Sequence, residues 1–207
     1  MYWIGEDLRF PSHEMANEDG VLALGGDLSV KRLVLAYSNG IFPWFNEGEP
    51  IVWYSPRKRM VLFPEELKVS KSMKQIIRKA HFRITENNAF KEVIFSCRHI
   101  QRRDQLGTWI TDDMEDAYIH LHDKGLAKSI EVWYQDKLVG GLYGVDLGNG
   151  IFCGESMFSA MSNASKLAFI YLAQKKAYTL IDCQIYNEHL SSMGAREIQR
   201  AEFLQRL

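Results

Sequence analysis

The sequence has few cysteines and no long hydrophobic run. Its 207 residues include three cysteines, Cys97, Cys153 and Cys183. An odd number at wide spacing argues against a disulfide framework and against a zinc site, so we expect a reducing compartment, the cytoplasm. No run of about 18 apolar residues occurs, and the first residues lack the basic and apolar regions of a signal peptide. We therefore expect neither a membrane span nor secretion.

The usual signatures of metal and serine chemistry are also missing. The six histidines show no ligand spacing, so we expect no bound metal. Ser156 lies outside a Gly-x-Ser-x-Gly context and has no paired histidine, which argues against a serine nucleophile. No internal repeat is present. The chain is instead 46% hydrophobic, which is enough for a sizeable core in one large or two small domains.

The net charge of −1 conceals a segregation of charge along the chain. Residues 1–56 carry 3 Lys/Arg against 8 Asp/Glu, residues 57–103 carry 13 against 4, and residues 104–207 carry 9 against 14. A basic segment between two acidic ones is typical of a surface that binds a polyanion. Chance clustering on a solvated face is the alternative interpretation.

A helix with two contrasting faces is predicted within the basic segment. Ser70 is a suitable N-cap, and the periodic pattern runs to about residue 80. The apolar face has Met73, Ile76, Ile77 and Ala80, and the cationic face has Lys71, Lys74 and Arg78. Because no acid is interleaved among the cations, they repel one another slightly, and a bound phosphate backbone would relieve that repulsion.

Two short apolar runs each contain one acid. Glu155 lies within the run 152–158, and Asp182 lies within the run 180–185. Burying an unpaired charge costs several kcal/mol, so each acid needs a partner or a chemical role. Gln184 is two residues from Asp182, and a regular strand would place both side chains on the same face. A purely structural role for Asp182, accepting from backbone donors, is the alternative.

The order of predicted elements indicates an α+β fold. From about residue 111 the pattern reads helix, three strands, helix, strand, helix, which describes an antiparallel meander followed by a crossover helix and a further strand. This is the order of the acetyltransferase-like fold, in which an acyl donor lies between splayed central strands. That fold usually holds coenzyme A through a glycine-rich loop, but the corresponding residues 159–166 contain no glycine. We expect a small α+β domain in residues 1–60 and the acetyltransferase-like domain in residues 61–207.

Several local features complete the expected organisation. The first 20 residues show no strong pattern and are expected to be irregular. Gly140 and Gly141, inside a predicted strand, indicate a bulge or the close approach of a ligand. Ser162 and Asn163 are predicted to cap a helix that runs to about residue 177. The aromatic cluster between residues 42 and 54 could pack in the core or form a stacking platform for bases.

The sequence resembles the leucyl/phenylalanyl-tRNA–protein transferases of bacteria. The similar segments are GGDLS at 25–29, GIFPWF at 40–45, WYSP at 53–56, GTWI at 107–110, SIEVW at 129–133, GGLYG at 140–144, FCGESMFS at 152–159, NASK at 163–166 and LIDCQ at 180–184. The resemblance implies transfer of Leu, Phe or Met from aminoacyl-tRNA to the N-terminal Arg or Lys of an acceptor protein. The product would carry an N-degron, a terminus read by the degradation machinery. No cofactor is implied.

The resemblance also implies the residues that perform the transfer. Asp182 and Gln184 would activate the acceptor amine and relay its proton. Glu155 would hold the α-amino group of the aminoacyl residue, or alternatively the basic side chain of the acceptor. The Glu155 carboxylate suits either role, because the α-amino group and the basic side chain are both cations with several hydrogen-bond donors.

Further positions are implied to bind the donor. Trp44 and Trp109 would contact the terminal adenosine, with core packing as the alternative. The pocket for the aminoacyl side chain would be lined by Leu142, Phe152 and Met157. The patch for the tRNA acceptor stem would contain Lys71, Lys74, Arg78 and Lys79, and such contacts read phosphate positions rather than base sequence.

Two other functions remain open on the sequence. One is a coenzyme A-dependent acetyltransferase on the same fold, which the missing glycine loop disfavours. The other is a non-enzymatic tRNA-binding module built on the basic helix.

Overall fold

The computed structural model describes residues 2–100 and 109–207, which form two β-sheets with helices packed against them. The strands are β1 (Tyr2–Ile4), β2 (Val21–Gly25), β3 (Phe42–Pro43), β4 (Val52–Tyr54), β5 (Lys58–Leu62), β6 (Arg83–Glu86), β7 (Ala127–Tyr134), β8 (Lys137–Asp146), β9 (Ile151–Ser159), β10 (Leu180–Gln184) and β11 (Arg196–Gln199). The helices are α1 (Val30–Ser38), α2 (Lys71–Lys79), α3 (Phe90–His99), α4 (Asp112–Asp123), α5 (Ala164–Gln174), α6 (Glu188–Ser192) and α7 (Arg200–Leu204).

The larger sheet has the strand order β11-β5-β10-β9-β8-β7-β6. Strands β7, β8 and β9 form an antiparallel meander, and α5 crosses over to β10, which runs parallel to β9. The α+β class and the acetyltransferase-like order of elements are therefore confirmed. The smaller sheet, β1-β2-β4-β3, precedes the larger one in the chain. The domain boundary after residue 60 stays a prediction. Strand β5, which spans this position, belongs to the larger sheet.

The N-terminal segment is largely irregular, as expected, but it also contains one short strand and one short turn. Strand β1 pairs in parallel with β2, and a short 3-10 turn covers His13–Met15. Arg32 ties this segment down from α1. Its fully buried guanidinium donates to the carbonyl oxygens of Gly5 and Asp7, at 2.8 and 3.1 Å, and pairs with Asp27 at 3.0 Å. The segment is ordered by a distant cation that its own sequence does not indicate.

Three of the predicted helix caps are confirmed. Ser29, Ser70 and Thr111 each accept a hydrogen bond from the backbone N–H three residues later. The fourth is confirmed in position only: Asn163 occupies the N-cap of α5, but it is left-handed and its side chain forms no capping hydrogen bond. Helix α5 also ends at Gln174, three residues earlier than predicted.

The apolar face predicted for α2 is only partly buried. Met73 is buried, but Ile77 is 42% exposed and Ala80 lies beyond the helix in a left-handed C-cap. Helix α2 therefore contacts the rest of the protein mainly through Met73, and most of its surface faces solvent.

The two glycines of β8 serve internal packing. A Cβ on Gly140 would lie 2.4 Å from the Cβ of Ala164, at the start of α5, and a Cβ on Gly141 would lie 2.7 Å from the carbonyl oxygen of Ile130. A register irregularity does lie beside Gly140, as predicted. The close neighbours of the two glycines are helix α5 and strand β7 of the same chain.

Candidate active site

A cleft opens where the central strands of the larger sheet separate. Strands β9 and β10 pair only as far as Cys153 and Asp182, and β9 then continues to Ser159 without β10 beside it. The cleft between them has a volume of about 780 Å³. Its lining includes every predicted catalytic and donor-binding residue, namely Trp44, Trp109, Leu142, Phe152, Glu155, Met157, Asp182 and Gln184.

Glu155 occupies a β-bulge in β9. Tyr143 of β8 pairs with Ser156, and Gly144 pairs with Gly154, so Glu155 is the extra residue on the bulged strand. A bulge reverses the alternation of side chains beyond it and re-aims the extra residue. Phe152 and Met157 accordingly pack in the same hydrophobic cluster although they are an odd number of residues apart. The bulge thus places Glu155 on one side of the strand and the apolar pocket on the other.

Asp182 has a buried cationic partner. Its two carboxylate oxygens accept hydrogen bonds from Nε and a terminal nitrogen of Arg59, at 2.8 and 2.7 Å. Neither side chain is more than 2% exposed. The Arg59 guanidinium also lies over the rings of Phe42 and Phe203, 4.5 and 4.7 Å from their centres. Asp182 is therefore held as one half of a packed ion pair.

Arg59 is a site residue that the sequence interpretation missed. It was counted in the basic segment, but it does not contribute to an exposed basic surface. Arg98, in the same segment, pairs with Asp112 and Glu115. The sequence does contain a signal for this pairing. Arg59 directly precedes the apolar run 60–63, so its burial carries the same kind of cost as that of Asp182, and each charge needs a partner.

Gln184 connects the two acids through an unusual backbone conformation. Its φ of +64° is left-handed, and a second bulge separates it from Asp182 along β10. Its backbone N–H donates to Oδ1 of Asp182, and its side-chain amide donates to Oε1 of Glu155, both at 2.9 Å. Asp182 and Gln184 do converge, but through a strained turn rather than through the alternation of a regular strand.

Glu155 is surrounded by neutral hydrogen-bond donors. Its Oε2 accepts from the hydroxyl of Tyr118 at 2.9 Å, and that hydroxyl is in turn hydrogen-bonded to the hydroxyl of Tyr37. Burial of the carboxyl is the largest influence and raises the pKa of Glu155 from 4.5 to about 7, while the hydrogen bonds from the two tyrosines and Gln184 act in the opposite direction. Glu155 can therefore exchange a proton near neutral pH.

Tyr37 and Tyr118 were not predicted as site residues. Tyr118 lies four residues after Met114 on the buried face of α4, and Tyr37 lies four residues after Leu33 on the buried face of α1. This spacing indicates core aromatics, and nothing local shows that their hydroxyls meet beside an acid. A buried tyrosine hydroxyl normally needs a polar partner, and this is the signal that could have been used.

The remaining lining residues form an aromatic rim and an apolar floor. The indoles of Trp44 and Trp109 are half-buried at the cleft, and Trp44 packs on Tyr54 with ring centres 5.7 Å apart. Leu142 and Phe152 are almost fully buried, and Met157 is half-buried. The cleft therefore offers partly open aromatic faces and an enclosed apolar pocket.

The predicted tRNA-binding cations lie outside the cleft. Lys71, Lys74, Arg78 and Lys79 are all exposed on α2, and none of them forms an ion pair within the described ranges. Arg102, Arg103 and the motif residues 107–108 lie outside the described residues. Among the residues that the structure describes, His, Cys, Asp and Glu do not gather in groups that could hold a metal ion. In the same ranges no helix is both long and apolar enough to cross a membrane.

Comparison with solved structures supports the fold. FemX superimposes with a TM-score of 0.50 and 10% sequence identity over 82% of this chain and 66% of FemX. The fold and the cleft define an α+β protein of the acetyltransferase-like class, with a cleft between two strands that separate.

Sequence comparison resolves the family within that class. The family described as leucyl/phenylalanyl-tRNA protein transferase matches residues 61–207, and its N-terminal domain matches residues 26–57. The transferase of Flavobacterium johnsoniae is 59% identical over 99% of this chain and 97% of its own length. That of Flavobacterium psychrophilum is 57% identical over 99% and 98%. The chain belongs to the leucyl/phenylalanyl-tRNA–protein transferase family and is an aminoacyltransferase that moves an aminoacyl group from tRNA to protein.

Proposed function

We propose that this enzyme transfers Leu, Phe or Met from aminoacyl-tRNA to the α-amine of proteins that begin with Arg or Lys, in the cytoplasm. The new N-terminal residue would act as an N-degron. The observation that carries this proposal is the cleft itself, which joins an apolar pocket, two partly open indoles and two carboxylates in one place.

The donor end of the tRNA would occupy the apolar and aromatic parts of the cleft. The terminal adenine would stack on Trp44 or Trp109, a contact worth about 1–3 kcal/mol per base. The aminoacyl side chain would enter the pocket of Leu142, Phe152 and Met157. An apolar side chain that is not β-branched fits such a pocket, which agrees with Leu, Phe and Met as donors.

The reaction would be aminolysis of an activated ester, with Asp182, Gln184 and Glu155 as the catalytic group. The acceptor amine has an ordinary pKa near about 8 and must lose a proton before or during its attack. The Glu155 carboxylate and the amide oxygen of Gln184 can orient its N–H bonds, and Asp182 holds Gln184 in position. Because the ester is already reactive, positioning of the two substrates would supply much of the acceleration.

The body of the tRNA would bind to α2. Lys71, Lys74, Arg78 and Lys79 are exposed and lack acidic partners in the described part of the chain, so they are available to phosphates. Phosphate contacts do not distinguish base sequences, and this suits an enzyme that accepts several tRNAs.

A transfer assay tests the proposed function. Purified enzyme is mixed with tRNA charged separately with Leu, Phe or Met and with matched peptides that begin with Arg, Lys or Ala. We expect product only with the Arg and Lys peptides. Folded enzyme that transfers none of the three residues would refute the proposal, and acetylation of the same peptides from acetyl-coenzyme A would point to the alternative reaction.

The same assay examines the side-chain pocket. Leu142→Met replaces a stiff side chain by a more adaptable one. We expect the ratio of Phe to Leu transfer to change by less than about tenfold, because volume-conserving substitutions alter packing energies by less than about 1.5 kcal/mol.

A further inference from the structure

We propose that Glu155, positioned by the buried hydroxyl pair of Tyr118 and Tyr37, takes the proton from the acceptor amine and returns it to the departing 3′-oxygen of the tRNA. This inference rests on the proposed function, because it assigns the proton transfer to one of the two acids in the cleft. Asp182 then acts as an anchor that aims Gln184.

The surroundings of Asp182 argue against proton exchange at that residue. Each of its oxygens accepts from Arg59, and Oδ1 also accepts from the backbone N–H of Gln184. A general base must reach the proton that it removes, and the Asp182 side chain is fully buried behind these donors. Its protonation would also leave the buried charge of Arg59 without a counter-ion.

The surroundings of Glu155 favour proton exchange. The bulge places it at the cleft, and it is 8% exposed. Its hydrogen-bond partners, Gln184 and Tyr118, are neutral, and no cation pairs with it in the part of the chain that the structure describes. A carboxyl group whose pKa is about 7 can both accept and donate a proton under physiological conditions.

The tyrosine pair can follow the change in protonation. A hydroxyl both donates and accepts. When Glu155 is ionised, Tyr118 donates to it and Tyr37 donates to Tyr118. When Glu155 is protonated, Tyr118 can accept from it and donate to Tyr37, with no movement of the heavy atoms. Tyr143 packs edge-on against Tyr118, with ring centres 5.5 Å apart, and helps to fix it.

The proton balance of the step is closed. The neutral amine attacks the ester carbonyl and a C–N bond forms. The positively charged nitrogen of the tetrahedral intermediate passes one proton to the Glu155 carboxylate. The bond from carbon to the 3′-oxygen then breaks, and that oxygen takes the proton from Glu155. The products are the new amide and the free 3′-hydroxyl of the tRNA, and Glu155 is again a carboxylate.

The pH dependence of single-turnover transfer at saturating substrates tests this assignment. We expect the wild-type rate to increase with pH around a midpoint near about 7, which forms one limb of the pH profile. Glu155→Gln should lose that limb and react about 10²–10⁴-fold more slowly. Tyr118→Phe removes a donor to the ionised carboxyl, so its limb should move to higher pH. The control Tyr171→Phe removes a hydroxyl that donates to Glu86 and does not line the cleft, so the pH dependence should stay unchanged.

The outcomes separate the two proposals. Absence of transfer by the wild type contradicts the proposed function. Normal transfer by the wild type together with an unshifted limb in both Glu155→Gln and Tyr118→Phe overturns the present inference alone. Loss of the limb in Asp182→Asn would also overturn it, as would an effect of Glu155→Gln confined to the KM for aminoacyl-tRNA. If Glu155→Gln does not fold, the direction of the Tyr118→Phe shift decides.

Discussion

Glu155 and Asp182 occupy the same kind of sequence but opposite kinds of environment. Each is the single acid in an apolar strand, each lies next to a bulge, and both line the same cleft. Asp182 is paired with the buried cation of Arg59, whereas Glu155 has only neutral donors. The ion pair with Arg59 keeps Asp182 charged, whereas the neutral donors around Glu155 leave that acid able to gain and lose a proton.

This contrast shows how one cleft can separate two tasks. A buried charge with an equally buried counter-ion is costly to protonate, so it is suited to holding a backbone in position. A buried carboxyl without a counter-ion has a raised pKa, so it is suited to moving protons. Gln184 joins the two, since its backbone is bonded to one acid and its side chain to the other.

The largest effect should come from removing the anchoring acid. Asp182→Ala leaves Arg59 buried without a partner, and we expect the free energy of unfolding to fall by about 3–5 kcal/mol. Urea denaturation would measure this. The double variant Arg59→Met with Asp182→Leu should recover most of the loss, because apolar side chains then fill the space. A loss below about 1 kcal/mol in Asp182→Ala would show that the ion pair is not an anchor.

Replacing the other acid should have the opposite effect on stability. The raised pKa of Glu155 means that the folded protein holds this proton more tightly than the unfolded chain, so stability falls as the pH rises from 4.5 to about 7 and levels off above that. Glu155→Gln abolishes this loss. We expect it to be more stable than the wild type by up to about 3 kcal/mol at about pH 8.

Urea denaturation at two pH values provides the check. The difference between Glu155→Gln and the wild type should shrink to below about 1 kcal/mol at about pH 5, because the pKa of this carboxyl in the unfolded chain lies only slightly lower. An equal difference at both pH values would mean that Glu155 does not titrate between them, and the contrast between the two acids would fail.

The contrast concerns chemistry, so neither acid should control tRNA affinity. Lys74→Glu with Arg78→Glu should weaken tRNA binding about tenfold, roughly 1.4 kcal/mol, and reduce its salt dependence, because fewer counterions are released. Filter binding over a salt series would measure both. Lys31→Glu with Lys137→Glu is the matched control, since it reverses two exposed cations elsewhere. Equal losses in both double variants would argue against α2 as the tRNA surface.

The smallest effect on stability should come from the residue that joins the acids. Gln184→Gly relieves a left-handed backbone worth about 1–2 kcal/mol and loses a side-chain hydrogen bond worth about 1 kcal/mol. We expect an unfolding free energy within about 1 kcal/mol of the wild type, but slower transfer. Gln135→Gly is the control, since Gln135 also has a positive φ but lies in the exposed turn between β7 and β8. If both variants transfer at the wild-type rate, the amide has no role in the reaction.

Much of the fold followed from local patterns. The caps at Ser29, Ser70 and Thr111, the meander and the crossover helix all depend on residues near one another in the chain, and periodicity detects them. Family resemblance identified the residues that line the cleft. The first strand was missed because its segment is tied down by Arg32, which lies elsewhere in the sequence. The end of α5 was missed because no glycine or proline marks it.

The details that make the cleft work were not accessible from the pattern. A period of two would place Phe152 and Met157 on opposite faces, and only the bulge at Glu155 brings them together. The partner of Asp182 lies 123 residues away in the chain, and the contact between Tyr37 and Tyr118 spans 81 residues. Such pairings arise from tertiary packing, so neither spacing nor composition reveals them.

The most direct test of this account is an NMR titration of the protein carrying 13C-labelled glutamate carboxyl groups. One glutamate signal should titrate with a midpoint at about 7, and that signal should be absent in Glu155→Gln. If every glutamate signal titrates in the ordinary carboxyl range near about 4, Glu155 is not the acid that exchanges protons near neutral pH, and the proposed division between the two acids is wrong.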